Sequence, residues 1–325
     1  SGFFSRVNVN PIYLAYFNRV KNRQDIIFRH LNHEKPMTFF NQLLFVQSRI
    51  GMLEIFIFAF VVFAMVAMTV IWNSNWSRKQ LPLMYFIGAM MGLAFSTKWF
   101  GAAPWILCVV LLWIQTKGRE KAHLLLAMGM LPTLIYYLTY LPYPILTGVT
   151  LTLNGFIKLH DVMFLQQGSM TGDRMYVSTW LEWPLLNKPM WYAFNLDPPN
   201  SGFARTIFYV ANPWIAWTGI LAVLFCAWDG WKTRRRDAGL IVVTYLTFYL
   251  FWIFFRRDTA YYYYYFPATM VLSLACAYVF RERFTAHSMR WGYLMVAAAM
   301  FFIFLPVLSG MRISLEDLGQ WVWFK

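Results

Sequence analysis

Acidic residues are scarce in this chain: 14 Asp and Glu stand against 28 Lys and Arg, leaving a net charge of +14. Charge of either sign is sparse as well, at 13% of residues, while 59% are hydrophobic. That balance excludes an ordinary soluble domain. Cysteine is nearly missing, and Cys108, Cys226 and Cys276 all fall inside apolar runs. They read as small packing residues, and a disulfide framework loses its basis. The five histidines, His30, His33, His123, His160 and His287, are scattered, and none pairs at metal-ligand spacing. No phosphate-binding P-loop, dinucleotide glycine fingerprint or HExxH stretch occurs, so ATP-driven transport and zinc chemistry lose support. Internal repeats are absent, apart from a run of five tyrosines at 261–265. In so apolar a chain the positive charge reads as anchoring at anionic lipid headgroups, and nucleic acid is not an expected partner.

Long uncharged runs are what the chain has in abundance. Eight of them, at 55–72, 81–97, 99–116, 123–142, 206–228, 238–255, 259–280 and 291–311, lack Asp, Glu, Lys and Arg. Each approaches the ~20 residues that carry a helix across a hydrocarbon core. Solid runs of this kind differ from the alternating segments of a membrane barrel. The expected fold class is therefore an all-α membrane protein, a bundle of about eight transmembrane helices. The abundant Trp and Tyr suit interfacial belts, and the tyrosine run is expected to sit there, with one or two rings lining a groove.

Four short linkers, Arg78-Lys79, Lys117 to Lys121, Lys232 to Arg236 and Arg281 to Arg290, hold 12 of the 28 basic residues. They alternate with the remaining connections, and the positive-inside rule puts them in the cytoplasm. The long connection 143–205, the turn at 256–258 and the C-terminal tail then share the opposite face. Arg49, Lys98, Arg256 and Arg257 lie on that second face, against the usual bias. Cations kept there suit an anionic partner, although each alone also suits a side chain reaching for lipid phosphate. Arg49 and Glu54 are close enough in sequence to pair with each other. Within 143–205, the stretch 151–164 reads as a short helix lying on the membrane surface. A Trp/Pro-rich segment with Trp180, Trp183, Pro184, Pro189 and Trp191 follows, and a connection of this length is usually functional.

Several segments carry a resemblance. FIKLHDVMF, followed by Tyr176, Ser178 and WPLLNKP, resembles the helix and loop of the protein O-mannosyltransferase family. QSRIGMLEIF at 47–56, GLAFSTKWFG at 92–101, VANPWIAWTG at 210–219 and RRDTAYYYYYFPA at 256–268 resemble further segments of that family, in the same order. The resemblance spans 41–325 and implies a GT-C type glycosyltransferase. Such an enzyme takes mannose from a polyprenyl-phosphate carrier and passes it, with inversion at the anomeric carbon, to Ser or Thr hydroxyls of proteins. The lipid-linked sugar is a donor substrate, and no cofactor or metal is called for. A carboxylate would deprotonate the acceptor while cations hold the departing lipid phosphate. Carried over residue by residue, the resemblance implies Glu54 as the catalytic candidate. It also implies Arg49, Lys98, His160, Tyr176, Trp183 and Arg257 as substrate-binding candidates. No insert resembling the MIR domains of the eukaryotic enzymes lies in 143–205. That favours a bacterial-type member, in the cytoplasmic membrane with its site facing outward.

The chain departs from the family pattern in three places. Residues 1–40 are basic and polar, and they match neither the family's first span nor the Asp-Glu pair to which the base role is assigned. An N-terminally shortened member, with little transfer by this chain alone, is the expectation. Glu54 stands where the family has Asp, and Lys188 where it has Arg, which gives up a bidentate fork. Three other readings stay open: a lipid-carrier transferase with another sugar or a lipid acceptor, an inactive remnant, or a transporter. The last would place ionisable residues near the midplane of several spans, whereas here they gather at one face.

Overall fold

In hydrocarbon a backbone can satisfy its own N–H and C=O groups only by coiling into a helix or closing a barrel, and this chain coils. The computed structural model describes residues 37–169, 176–199, 201–254, 260–284 and 287–321. A short helix α1 (Gln42–Gln47), capped by the Asn41 side chain, precedes α2 (Leu53–Trp72). Next come α3 (Leu81–Thr97) and α4 (Ala102–Gln115). Helices α5 (Glu120–Leu125) and α6 (Leu131–Leu138) are joined by a π-helical turn at Leu126–Met130. After α7 (Tyr143–Thr147) and the surface helix α8 (Leu153–Ser169), strands β1 (Met190–Leu196) and β2 (Phe203–Tyr209) form. The bundle resumes with α9 (Pro213–Thr233), α10 (Arg236–Leu250), α11 (Phe266–Glu282) and α12 (His287–Ser309). Strand β3 (Arg312–Ser314) and the short helix α13 (Leu315–Leu318) close the described chain.

Seven helical segments among the described residues are long and apolar enough to span a membrane, and the apolar segment Trp99–Gln115 is a shorter eighth. The structure corrects the expected run 206–228 at its start. Residues up to Tyr209 belong to β2, and the helix begins only at Pro213, with Asn212 accepting from the Trp214 and Ile215 amides. Proline at the first helical position costs no hydrogen bond, and an Asn cap before it satisfies two free amides, so the helix starts here. The apolar alternation of 203–209 serves a strand instead: Ala204, Thr206 and Phe208 point inward.

The segment Tyr262–Glu282 is the centre of the bundle, 78% buried over its most apolar stretch where the other spans reach 28–39%. The outer helices present side chains such as Phe63, Ile114, Leu224 and Phe302 outward, as a lipid-facing surface requires.

The three strands form one antiparallel sheet in the order β1-β2-β3. It caps one end of the bundle, where α1 reaches β2 through the Gln47 side chain. The opposite end gathers the basic linkers and ties them with acids: Arg281 bonds Asp237 and Glu282, and Arg235 pairs with Glu282. There too the Trp72 indole donates to the Arg236 carbonyl, joining the end of α2 to the start of α10.

Candidate active site

The chain leaves α3 at Lys98, whose extended backbone (φ −162°) breaks the helix, and turns at once through Trp99–Gly101 into α4. This reversal depends on Gly101. A Cβ there would lie 2.6 Å from the Phe95 amide nitrogen, so no side chain fits. Lys98 therefore sits at the tip of a tight corner. Its ammonium forms an ion pair with Oε1 of Glu54, the acid in the first turn of α2. A carboxylate at a helix N-terminus also lies at the favourable end of the helix dipole. Glu54 is 8% exposed, and among the described residues its second oxygen, Oε2, has no protein partner. The pair stands at the rim of an aromatic cleft lined by Phe100, Trp252, Tyr263, Tyr264 and Pro267. Among the described residues Glu54 is the single carboxylate lining it.

Aromatic stacking builds the walls. Trp252 stacks on Tyr264 at 4.1 Å and on Phe100 at 5.0 Å between ring centroids. Lys98 Nζ lies 5.0 Å from the Tyr263 ring centroid and 5.3 Å from that of Tyr264. The ammonium is thus held by a carboxylate and two π faces. Tyr262, Tyr264 and Tyr265 are core and not belt, which corrects the sequence expectation for these three, while Tyr263 and Tyr264 line the cleft as one or two rings were expected to do. Tyr262 and Tyr265 are fully buried and Tyr264 nearly so. The cause is the following segment: α11 is the central helix, so the residues leading into it are covered on every side.

Behind the cleft, the WPLL loop acts as a prop. Trp183 is 0% exposed, donates from Nε1 to the Ser178 hydroxyl at 2.9 Å, and packs against Trp252, Tyr264 and Tyr265. Tyr176 is half-buried at the start of the loop, which is pinned by the Ser178 amide bonding the Ala260 carbonyl at 2.8 Å. Lys188, in a left-handed conformation (φ 53°), pairs with Glu182 at 3.0 Å. Burial alone would raise Glu182, but the Thr179 amide, the Lys188 ammonium and the Thr179 hydroxyl outweigh it and hold the carboxyl below its ordinary value.

His160 lies one step from Lys98. Its Nδ1 faces the Phe156 carbonyl at 2.7 Å, so that nitrogen carries the proton and Nε2 accepts from the Tyr136 hydroxyl at 2.7 Å. Tyr136 in turn accepts from the indole N–H of Trp99, which stacks on the imidazole. Through this relay the surface helix α8 is fastened to the corner that carries Lys98. Arg49 is exposed with its guanidinium over Phe45 at 5.0 Å, and Glu54 pairs with Lys98 in its place. Arg257 and its neighbour Arg256 lie outside the described residues.

The structure thus brings Glu54 and Lys98 into contact, sets Trp183 and Tyr176 behind them, links His160 through Trp99, and keeps Arg49 apart. Phe100 and Trp252 escaped the sequence reading as site residues, and Tyr263 and Tyr264 were not singled out within the tyrosine run. Their one signal is the segment match around Lys98-Trp99 and the tyrosine run. Gln47 falls within the matched segment at 47–56 without being singled out, and Tyr192, on β1, carried no signal.

Fold and site together define a multi-spanning helical membrane protein with an acid–cation pair beside an aromatic cleft, at the end of the bundle that the small sheet caps. Comparison with known families names it further. The family model described as dolichyl-phosphate-mannose-protein mannosyltransferase matches residues 36–158, and that of the C-terminal four TMM region of protein-O-mannosyltransferase matches 152–325. The chain belongs to the protein O-mannosyltransferase family. Its fold is similar to that of the S. cerevisiae protein O-mannosyltransferase Pmt1-Pmt2 complex bound to the sugar donor. The TM-score is 0.70 at 11% identity, covering 90% of this chain and 76% of that one. No curated protein sequence matches the chain.

Proposed function

We propose that this protein transfers mannose from a polyprenyl-phosphate carrier to Ser or Thr hydroxyls of proteins at the extracytoplasmic face, with Glu54 and Lys98 at the centre of the reaction. The observation that carries this reading is the ion pair of buried Glu54 with half-buried Lys98 in the lining of the cleft. Glu54 Oε2 takes the proton of the acceptor hydroxyl. The hydroxyl oxygen forms its bond to the anomeric carbon as the carbon–oxygen bond to phosphate breaks, and the electron pair leaves with the lipid phosphate. Lys98 then faces the charge that develops on that phosphate. Arg257 and Arg49 are further cations for the phosphate or its headgroup neighbours, and His160 and Trp99 set the position of the Lys98 corner. The separation of the basic linkers from the cleft supports the outward orientation, since linkers rich in Lys and Arg stay in the cytoplasm. The lack of a MIR-like insert in 143–205 supports a bacterial membrane.

Purified protein in nanodiscs, given polyprenyl-phosphate mannose and a Ser/Thr peptide, tests the assignment. Glu54→Gln keeps donor binding and loses transfer by ~10²-fold or more, the range for general-base catalysis. Lys98→Met weakens donor binding by ~10-fold or more, as expected of a charge-assisted bond worth ~1.5–3 kcal/mol. Transfer by Glu54→Gln at the parent rate removes Glu54 from the chemistry.

A further inference from the structure

Strand β1 breaks its own register beside the site. Trp191 faces Phe208 and Ala193 faces Ile207, so Tyr192 is an extra residue with no opposite number on β2. A bulge of this kind re-aims one side chain, and such bulges recur next to active sites. Here it turns the Tyr192 ring onto Tyr209, at 4.8 Å between centroids, and both hydroxyls meet the same amide: Gln47 Nε2 donates to each at 3.1 Å. Gln47 is fully buried, and its Oε1 has no partner among the described residues. A buried side-chain amide left half-satisfied is costly, so its retention calls for a purpose.

The purpose lies in what the amide does to Tyr192. With its oxygen accepting from Gln47, the Tyr192 hydroxyl still carries a proton, and no described residue accepts it. Burial, and then the charge of Glu54, push this phenol well above its ordinary value. The group is thus a neutral O–H donor near a carboxylate. Tyr209 shares the same amide but is wholly enclosed, whereas Tyr192 is half-buried. Strand β1 is also the outer strand of the sheet, so its outward backbone groups have no strand partner among the described residues. The sheet caps the end of the bundle that carries Glu54, the end at which α1 leads into α2.

We propose that Tyr192, re-aimed by the β1 bulge and held by Gln47, is an acceptor-binding residue whose hydroxyl donates to the incoming polypeptide beside Glu54. The proposal rests on the mannosyl-transfer reading of the same site. Peptide binding is measured by fluorescence anisotropy with a labelled Ser/Thr-rich peptide, on protein in nanodiscs preloaded with polyprenyl phosphate lacking the sugar. Tyr192→Phe and Gln47→Leu each weaken peptide binding about tenfold, and the double variant is no weaker than either alone, because the two act as one unit. Tyr209→Phe binds like the parent. Binding of a labelled polyprenyl phosphate is unchanged in Tyr192→Phe, as is its melting temperature. Peptide affinity equal to the parent in Tyr192→Phe overturns the proposal, as does equal loss in Tyr209→Phe or weakened carrier binding. A parent that binds no peptide overturns it too. Glu54→Gln transfer, run alongside, reports separately on the reading beneath: its loss with a silent Tyr192→Phe leaves that reading standing and this inference rejected.

Discussion

At the scale of single residues, the site depends on small groups that keep larger ones paired. Ser178 has one hydroxyl, and that hydroxyl is the partner of the fully buried Trp183 indole. Ser178→Ala leaves the N–H unsatisfied, at a cost of about 1–3 kcal/mol, and loosens the prop behind Trp252 and Tyr264. A lower melting temperature and a shifted tryptophan emission are the expected readouts, with no change in span content by circular dichroism. Lys98 and Glu54 were both legible as candidates from their motifs. Their contact was not legible, because 44 positions separate them and only the α3–α4 corner closes the gap. The tyrosine run misled for a related reason. Five phenols in a row look like an interfacial belt, and their burial follows from the central position of α11, which no local pattern reports.

Among elements, close packing decides what local sequence leaves open. Helix α3 runs so near the π-helical turn that a Cβ on Gly88 would come within 1.8 Å of the Ala127 carbonyl oxygen. Small residues that let backbones meet are a main source of helix association in membranes. Gly88→Ala is therefore expected to destabilise the bundle by about 1–3 kcal/mol or more, the range for overpacking. Gly129, in the same π-helical turn, has nothing within 4 Å of an added Cβ, so Gly129→Ala should melt like the parent. Paired thermal melts in one detergent make the comparison. The spans themselves were legible, since an uncharged apolar run has few alternatives to a helix in lipid. The sheet was not. The stretch 206–209 is apolar enough to pass as the start of a span, and only its pairing with β1 separates it from α9.

For the whole molecule, charge is sorted to the two ends. One end carries Glu54, Lys98, the sheet and the WPLL loop; the other carries Arg235, Asp237, Arg281 and Glu282 in linked ion pairs. The expected topology puts the first end outside the cytoplasm. Single cysteines at the exposed positions Asn154 and Thr233 test this with an impermeant thiol reagent on intact cells. Asn154→Cys should label and Thr233→Cys should not. The native Cys108, Cys226 and Cys276 are buried and form a silent background. The reverse pattern would turn the site to the cytoplasm and remove the outward reading.

The sequence by itself determined that the chain is a helical membrane bundle. It also determined which linkers are basic, because hydrophobic run length and charge placement are properties read in order along the chain. Ordered motifs carried the family as well. Only the tertiary structure decided that Glu54 pairs with Lys98 and not with Arg49, that Tyr263 and Tyr264 line a cleft, and that a bulge in β1 turns Tyr192 onto Tyr209 and Gln47. Each of these is a contact between segments far apart in sequence. Such contacts are set by how helices and strands pack, through corners that only glycine can make and central positions that only the full bundle defines.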